Sequence, residues 1–283
     1  MWRRWHASSG WKRIPLKCAL FLCVLVLTLF PKPWLMFTLA ERARDFNALI
    51  DPSHAGLEPF VADVRTAASQ PDAPPETALV QKVVLQRVPY SFDWETWGVA
   101  EYLPTVDDVL RAGREDCDGR AIVAASVLRR MGYDATLVTD LLHMWVVTPQ
   151  GELMNPTSAQ KTLVGGSGGT ELQLTPAALR NLARGFAFGV AVFPLGRELI
   201  LAAALCLLTM HPRSSGWRRV SGCLLIWIGL DLVRDRGQRL AYDWTAFDVG
   251  VVALGIAALL AGWLALAVRA GVGPPRSAAA PPQ

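Results

Sequence analysis

A cysteine, a histidine and an asparagine follow one another in this chain in an order that suits nucleophilic catalysis. His143 comes 26 residues after Cys117, and Asn155 comes twelve residues after His143. In such sets the thiolate attacks an acyl carbon, the imidazole transfers the proton, and the amide orients the imidazole. The sequence therefore predicts a catalytic triad of Cys117, His143 and Asn155 that works through a thioester intermediate.

Each of these residues also has a purely structural interpretation. A cysteine at a helix start is commonly a small buried apolar residue, and Asn155 begins an Asn-Pro-Thr sequence of a kind that is common in turns. Their combination in this order favours catalysis. His54, the other histidine between residues 41 and 184, lies in a predicted loop and is the alternative base. Neither Cys-x-x-Cys nor His-x-x-x-His spacing accompanies Cys117, which argues against a zinc site.

The other four cysteines differ from Cys117 in their surroundings. Cys18, Cys23, Cys206 and Cys223 all lie in apolar runs, where they act as small apolar side chains. Disulfides need pairs of cysteines, so Cys117 is expected to remain a free thiol even in an oxidising compartment.

The segments around the triad predict how its members are positioned. Asp116 is an N-cap residue by type, and apolar residues at helical spacing predict a helix at 117–131 that ends at Gly132. Three strands are then predicted, at 135–138, 141–148 and 152–155. A helix that carries the thiol is therefore expected to pack on an antiparallel sheet that carries the imidazole.

Helical patterns also occupy the residues that precede the thiol. They cover 41–50, 57–68, 76–88 and 105–112, and Gly113 ends the last of them. Residues 165–169 are predicted to be a flexible glycine loop, and a helix at 175–184 follows it. The predicted fold class is α+β, with the core of the folded domain at 76–160.

Four apolar runs predict about four transmembrane helices. They lie at 16–30 with an extension to 40, and at 186–210, 220–233 and 247–268. The predicted organisation is a cytoplasmic N-terminus at 1–15, an uncleaved anchor at 16–40, an exported domain at 41–184, three membrane helices at 185–270 and a disordered tail at 271–283.

Charge is divided between the domain and the membrane segments. Residues 41–184 hold 13 Lys and Arg against 19 Asp and Glu, a net charge of −6, whereas the rest of the chain has a net charge of +10. The positive-inside rule places the basic flanks in the cytoplasm and the domain on the periplasmic side of the inner membrane. The basic residues belong to the membrane flanks, so no nucleic-acid partner is expected.

Opposing charges surround the predicted nucleophile. An ordinary thiol has a pKa of about 8.5, and the thiolate is the reactive form. The helix N-terminus, Arg114 and Arg120 would lower the pKa of Cys117, whereas Asp116 and Asp118 would raise it.

Four short motifs give the segment at 90–157 a family resemblance. They are Asp-Cys-Asp-Gly-Arg-Ala at 116–121, Leu-Arg-Arg-Met-Gly-Tyr-Asp-Ala at 128–135, His-Met-Trp at 143–145 and Asn-Pro-Thr at 155–157. The segment resembles the transglutaminase-like superfamily, and residues 97–105 and 109–113 are similar to those of bacterial transglutaminase-like cysteine proteinases. The resemblance implies a papain-like α+β core. The third residue of this family is usually Asp, and Asn155 takes its position here, as Asn does in papain-like enzymes.

The resemblance also implies accessory residues. Some periplasmic members of the proteinase branch bind calcium through acidic residues that flank the nucleophile, and Asp116 and Asp118 match those positions. The alternative is that Asp116 is only the N-cap and Asp118 a solvated acid of the first helical turn. An upstream aromatic residue often helps to hold the oxyanion in this superfamily. Trp94, Trp97 and Tyr102 are candidates for that role or for groove walls, unless they belong to the core.

The favoured function is a membrane-anchored cysteine peptidase or amidase that acts on a protein or peptide substrate outside the cytoplasm. It requires no cofactor, and calcium is a candidate ligand. Two alternatives remain open. A site that excludes water would transfer the acyl group to an amine instead, which is the reaction of a protein-glutamine acyltransferase. A structure that separates Cys117 from His143 would favour a non-catalytic binding domain tethered to the membrane.

Overall fold

A computed structural model describes residues 10–140, 142–155, 161–166, 168–172, 176–211, 214–242 and 245–267. The helices before the sheet are α1 (Gly10–Leu29), α2 (Trp34–Arg42), α3 (Glu58–Ala68), α4 (Glu76–Arg87), α5 (Asp93–Thr96), α6 (Val106–Ala112) and α7 (Cys117–Arg130). The strands are β1 (Thr136–Thr139), β2 (Met144–Thr148), β3 (Gly151–Leu153), β4 (Leu163–Gly166) and β5 (Gly169–Leu172). The helices after the sheet are α8 (Pro176–Val192), α9 (Leu195–Thr209), α10 (Gly216–Tyr242) and α11 (Ala246–Ala267).

The α+β class is confirmed, because helices combine with one five-stranded antiparallel sheet in the described part of the chain. The strand order is β3-β2-β1-β4-β5, and Val138 of β1 lies opposite Trp145 of β2. The three predicted strands correspond to β1, β2 and β3. The predicted tail at 271–283 and residues 156–157 of the Asn-Pro-Thr motif lie outside the described residues.

The flexible glycine loop predicted at 165–169 was wrong. Gly165 and Gly166 belong to β4 and Gly169 begins β5, and Gly166 pairs with Gly169. A Cβ atom at Gly165 would come within 2.8 Å of the Asn47 side chain, so glycine allows the hairpin to lie against the turn at Phe46–Leu49. Thr170 N–H also donates to the carbonyl of Arg44. The glycines here allow close packing and do not signal mobility.

The helix predicted at 41–50 was also wrong. Helix α2 ends at Arg42, and the chain then makes a 3₁₀ turn at Phe46–Leu49 whose N-terminal N–H groups are capped by the Asp45 side chain. An aspartate side chain competes for local N–H groups and so favours a turn over a continuing helix.

The two helices nearest the thiol begin and end where the sequence predicts. Thr105 and Asp108 form a reciprocal capping box at the start of α6, and Gly113 ends that helix in the left-handed region with φ 67°. Asp116 caps α7 by accepting from the N–H of Asp118 at 3.0 Å. The cap fixes the direction of the first turn of α7 and therefore the position of Cys117.

Helix α7 forms the centre of the folded domain. Every residue from 121 to 128 is buried, with α3 and α4 contributing to the same core as β1 and β2. Ile122 and Leu128 are fully buried, and each such side chain contributes about 1.5–3 kcal/mol to the stability of the fold. The nucleophile is therefore the first residue of a helix that is buried along most of its length.

In the described part of the chain, fewer helices are long and apolar enough to cross a membrane than the four that the sequence predicts. Among the described helices, α11 alone is long and apolar enough to cross a membrane by itself. Two bent pairs, α1 with α2 and α8 with α9, meet the same criterion when each pair is taken together. The helix at the third apolar run, α10, does not meet it, because charged residues such as Arg234 and Asp235 interrupt its second half. The structure thus offers up to three spans instead of four.

Helices α10 and α11 pack against each other through glycines. A Cβ atom at Gly229 would lie 2.6 Å from the carbonyl oxygen of Gly255, and one at Gly262 would lie 2.6 Å from that of Gly222. Backbones approach this closely only where side chains are absent, a common device in membrane helix pairs.

The arms of the two bent pairs are hydrogen-bonded to the folded domain. The N–H of Ala100 donates to the carbonyl of Leu29 at 2.8 Å, and Arg197 of α9 donates to the carbonyl of Gly98 at 2.9 Å. Arg42 of α2 pairs with Asp108 of α6 at 3.1 Å. These contacts fix α2 and the α8–α9 junction beside the N-terminus of α7.

Candidate active site

Cys117 and His143 line the same cavity, which has a volume of about 370 Å³. Cys117 is the first residue of α7, and His143 is the residue immediately before β2. The backbone N–H of Met144 stabilises the thiolate form of Cys117 by a hydrogen bond, which places the start of β2 at the sulfur. The predicted nucleophile and base are therefore brought together by the packing of α7 on the sheet.

A tight turn between β1 and β2 holds the imidazole in place. The buried Asp140 accepts from the backbone N–H groups of Leu142 and His143 at 3.0 and 2.8 Å, and its own N–H donates to the carbonyl of His143 at 3.2 Å. Asp140 was not predicted as a site residue. The available signal was a carboxylate three residues before the histidine, directly after a strand, where such a residue closes a turn.

The charge state of His143 suits a base. Burial lowers the pKa of the imidazole, Arg184 of α8 lowers it further, and the nearby carboxylate of Asp140 opposes both effects. The net result is a pKa below the ordinary value, so the imidazole is neutral at pH 7 and can accept a proton.

Asn155 lies apart from this pair in its described contacts. Its Nδ2 donates to Glu152 at 2.6 Å, and the same carboxylate oxygen accepts from the indole N–H of Trp145 at 3.2 Å. Lys161 forms an ion pair with the other oxygen of Glu152 at 3.1 Å. Asn155 does not line the cavity, and Met154 before it lies in the left-handed region with φ 63°.

Five carboxylates form a cluster at the N-terminus of α7, of which the sequence predicted only two, and three of them, Asp118, Asp116 and Glu101, act on the thiol. The five are Asp93, Glu101, Glu115, Asp116 and Asp118. Oxygen atoms of Asp93, Glu115 and Asp116 lie within 4.8 Å of one another, and so do the side-chain ligand atoms of Asp116, Cys117 and Asp118. We call these five residues the acidic cluster.

Burial, and after it the crowding of like charges, raises the pKa values of the acidic cluster. Burial raises the pKa of Asp93 to about 11, with the negative charges of Asp116 and Glu101 adding to the effect. Glu101 keeps contact with solvent at the cavity, yet the surrounding protein removes much of its hydration and raises its pKa to about 7. The pKa of Asp118 is also raised, first by burial and then by the charge of Glu101.

The hydrogen bonds of the cluster leave room for a cation. Glu115 is fully buried and accepts from the indole N–H of Trp97 and from the backbone N–H of Asp116. Asp93 is 2% exposed, and its Oδ1 has no hydrogen-bond partner among the described residues. A buried carboxylate oxygen without a donor, close to two further carboxylates, matches the oxygen ligands that calcium prefers. These oxygen donors therefore fit the predicted ion. They add Asp93 and Glu115 to the candidate ligands Asp116 and Asp118.

The acidic cluster affects the pKa of the Cys117 thiol more than the nearby arginines do. Burial raises the pKa of Cys117 well above its ordinary value, and the charges of Asp118 and Asp116 raise it further. Arg114 donates to the carbonyl of Glu95, and Arg120 donates to the carbonyl of Val88. Of the opposing influences that the sequence identified, the carboxylates prevail in the ion-free protein.

The three aromatic candidates occupy different places. Trp94 lines the cavity, where it stacks on Phe92 at 4.3 Å and meets Phe193 edge to face at 6.0 Å. Trp97 and Tyr102 do not line it, because Trp97 donates to Glu115 and the Tyr102 hydroxyl bonds to Asp108. Trp94 is thus a groove wall, and the other two support the structure behind it.

His54, the alternative base, lies away from the thiol. Its Nδ1 accepts from the N–H of Gly56 at 3.1 Å, and its Nε2 lies 3.7 Å from Asp107. It does not line the cavity, so its role here is to cap the short turn at Ala55–Leu57.

The cavity has a second wall that the sequence did not predict. Gly185, Phe188, Gly189 and Val192 of α8 line it, and their spacing places them on one helical face. Leu39 of α2 lies on the same side. We call these residues the apolar wall. It comes from the arms of the two bent helix pairs, so the cavity lies between the folded domain and the membrane helices.

No protein-family model, curated protein or solved structure matches the chain.

Proposed function

We propose that this protein is a membrane-anchored cysteine hydrolase that cleaves peptide or amide bonds, with a papain-like arrangement of its nucleophile helix and sheet. The observation that carries the proposal is that Cys117, at the N-terminus of the central helix, and His143, at the start of β2, line one cavity. The resemblance of residues 90–157 to transglutaminase-like proteinases supports the same assignment.

In the first half of the reaction, His143 takes the proton of the Cys117 thiol, and the sulfur attacks the carbonyl carbon of the substrate. Collapse of the tetrahedral intermediate breaks the C–N bond, and the leaving amine receives the proton from His143. The backbone N–H of Cys117, at the start of α7, is the oxyanion donor. Asp140 orients the imidazole by fixing its backbone through the two hydrogen bonds to its turn.

In the second half, water attacks the thioester after giving a proton to His143, and the acid product leaves as the proton returns to the sulfur. An amine in place of water would give transamidation by the same steps. The apolar wall is the observation that favours this second activity, because it limits the access of water to the thioester.

We also propose that calcium binds to the acidic cluster through Asp93, Glu115, Asp116 and Asp118. When bound, the ion supplies positive charge that offsets the carboxylates beside Cys117. The residues themselves hold the first turn of α7 in place, since Asp116 caps it and Glu115 joins it to Trp97.

Localisation is proposed from the membrane helices and the charge pattern. Helix α11 and the two bent pairs anchor the chain in the inner membrane, and the acidic domain faces the periplasm.

The test uses the full chain in detergent with calcium present. Wild type, Cys117→Ser and His143→Ala are treated with iodoacetamide at pH 7.5, and modified cysteines are identified by peptide mass spectrometry. Hydrolysis of a mixture of reporter peptides is followed in parallel. Cys223→Ser is the matched control, because Cys223 is exposed and remote from the cavity.

We expect iodoacetamide to modify Cys117 and to abolish hydrolysis, and we expect Cys117→Ser to be inactive while Cys223→Ser retains full activity. Modification of Cys117 without any loss of hydrolysis would overturn the proposal. Equal hydrolysis by wild type and His143→Ala would remove His143 from the mechanism.

A further inference from the structure

The composition of the apolar wall bears on which substrates reach the thiol. Phe188 and Val192 supply the apolar side chains of α8, and Gly185 and Gly189 leave its face open between them. A Cβ atom at Gly189 would meet nothing within 4 Å. The α8 face is therefore a shallow apolar surface with free space in front of it.

The apolar wall also has a defined origin. Helix α2 is bent by 76° from α1, and the Asn181–Val192 part of α8 is bent by 106° from α9. Each pair is apolar enough for a membrane only when both members are counted. The surface that faces Cys117 is therefore continuous with the helices that anchor the protein.

The opposite wall carries the acidic cluster, and this distinguishes between two apolar occupants. A phospholipid brings an anionic phosphate, which would be repelled by the carboxylate of Glu101, the acid of the cavity that is not among the proposed calcium ligands. A peptide brings a neutral backbone, and an apolar side chain can lie on α8 while the scissile carbonyl reaches the sulfur. A peptide therefore fits both walls.

We infer that the acyl portion of the substrate is a peptide with a large apolar residue next to the scissile bond, presented from a polypeptide in the same membrane. This inference rests on the proposed function. The acyl portion is the part that stays bound to Cys117 as the thioester, so the apolar wall would select it in both halves of the reaction.

The experiment measures covalent labelling of Cys117 in the full chain in detergent by three chloromethyl ketones. Their acyl groups are N-acetyl-phenylalanyl, N-acetyl-glutaminyl and palmitoyl, and the sulfur displaces chloride as the new C–S bond forms. The thiol proton passes to His143 and then to the buffer. Iodoacetamide serves as the small probe that does not contact α8.

Gly189→Leu fills the space in front of the α8 face, and Gly196→Leu is the matched control. Both glycines are exposed helical positions where a Cβ atom meets nothing within 4 Å, but only Gly189 lines the cavity. Phe188→Ala is a second variant that removes apolar surface without adding bulk.

We expect the phenylalanyl probe to label wild type at least tenfold faster than the glutaminyl probe. Gly189→Leu and Phe188→Ala should reduce this ratio to about one, with iodoacetamide labelling unchanged, and Gly196→Leu should leave the ratio intact. Equal rates for the two peptide probes, or an unchanged ratio in both cavity variants, would overturn this inference and leave the proposed function standing. If the palmitoyl probe labels Cys117 fastest, the inferred peptide substrate is wrong and the apolar wall selects a lipid acyl chain. Absence of labelling by every reagent, iodoacetamide included, would overturn the proposed function and the inference with it.

Discussion

Asp93 accepts the backbone N–H of Tyr102 through Oδ2 at 2.5 Å, while its Oδ1 lies buried with no hydrogen-bond partner among the described residues. The first bond fixes the loop that follows α5. Carboxylate oxygens of Asp93, Glu115 and Asp116 lie within 4.8 Å of one another. The same side chain therefore supports the fold and belongs to the acidic cluster.

Stability of the calcium-free protein should fall as the pH rises. The pKa values of Glu101, about 7, and Asp93, about 11, are raised above the unfolded values of about 4. From about pH 4 up to the raised pKa of each group, the folded state therefore binds more protons than the unfolded state. The free energy of unfolding falls as the pH rises through this range. Thermal unfolding in EGTA should show a lower Tm at pH 8 than at pH 5. A constant or rising Tm would contradict the raised pKa values.

Asp93→Asn should stabilise the calcium-free protein at pH 8, because the amide keeps an acceptor for Tyr102 and, unlike the carboxyl with its raised pKa, does not have to take up a proton on folding. The pH dependence of its Tm should be weaker than that of wild type. Asp134→Asn is the control, since Asp134 is exposed and outside the cluster. Equal shifts of Tm in both variants would show that the effect is general surface charge.

Calcium should raise the Tm of wild type and leave that of Asp93→Asn almost unchanged. A ligand that binds the folded state stabilises it by RT ln(1 + [L]/Kd), or about 2.7 kcal/mol at a hundredfold excess over Kd. Scanning fluorimetry with a calcium series and an EGTA reversal measures this. Magnesium provides the comparison, because it requires a stricter octahedral arrangement and binds such flexible sites less well. A Tm that calcium leaves unchanged would remove the ion from the mechanism.

The two partners proposed for the imidazole should differ in their kinetic effect. His143→Ala should lower kcat about 10²–10⁴-fold, the usual contribution of a general base. Asn155→Ala should cost less than tenfold, since Asn155 does not line the cavity that holds the thiol. Asp140→Ala should lower both kcat and Tm, because two backbone N–H groups lose their acceptor at about 1–3 kcal/mol each. A larger loss of kcat in Asn155→Ala than in Asp140→Ala would restore the triad predicted from the sequence.

The same substitution at two glycines should have opposite effects on the helix pair. Gly229→Ala places a methyl group 2.6 Å from the carbonyl oxygen of Gly255, so α10 and α11 must separate, and we expect a loss of about 1–3 kcal/mol. Gly250→Ala meets nothing within 4 Å and should stabilise α11 by up to about 1 kcal/mol. Thermal unfolding in detergent followed by tryptophan fluorescence distinguishes the two. A stable Gly229→Ala would show that this helix contact is not tight.

The local signals around the thiol predicted its surroundings well. Thr105, Gly113 and Asp116 are caps whose side-chain or backbone chemistry acts over three or four residues, and each has the predicted role. Apolar spacing likewise identified α7, because a helix at the centre of a core must bury nearly every position. Cys117 and His143 line one cavity because α7 packs directly against β2, the strand that begins immediately after His143.

The features that the sequence did not predict depend on contacts between distant segments. Asp93 and Glu101 join the acidic cluster through loop packing that no local pattern encodes. The glycines at 165–169 are typical of a loop, and only their contact with Asn47 shows why a hairpin forms. Gly189 of α8 carries no chemical signal at all, since its contribution to the cavity is the space it leaves.

The origin of the apolar wall has a practical consequence for anyone who excises the hydrophilic part of this protein. A fragment cut at residues 41 and 184 would retain the sulfur, the imidazole and all five acids, but Leu39, Gly185, Phe188, Gly189 and Val192 would be left behind. Such a fragment would present its reactive thiol to bulk solvent and accept polar and apolar electrophiles alike. Probe labelling of such a truncation would therefore report the reactivity of the thiol while missing the selectivity proposed for the full chain.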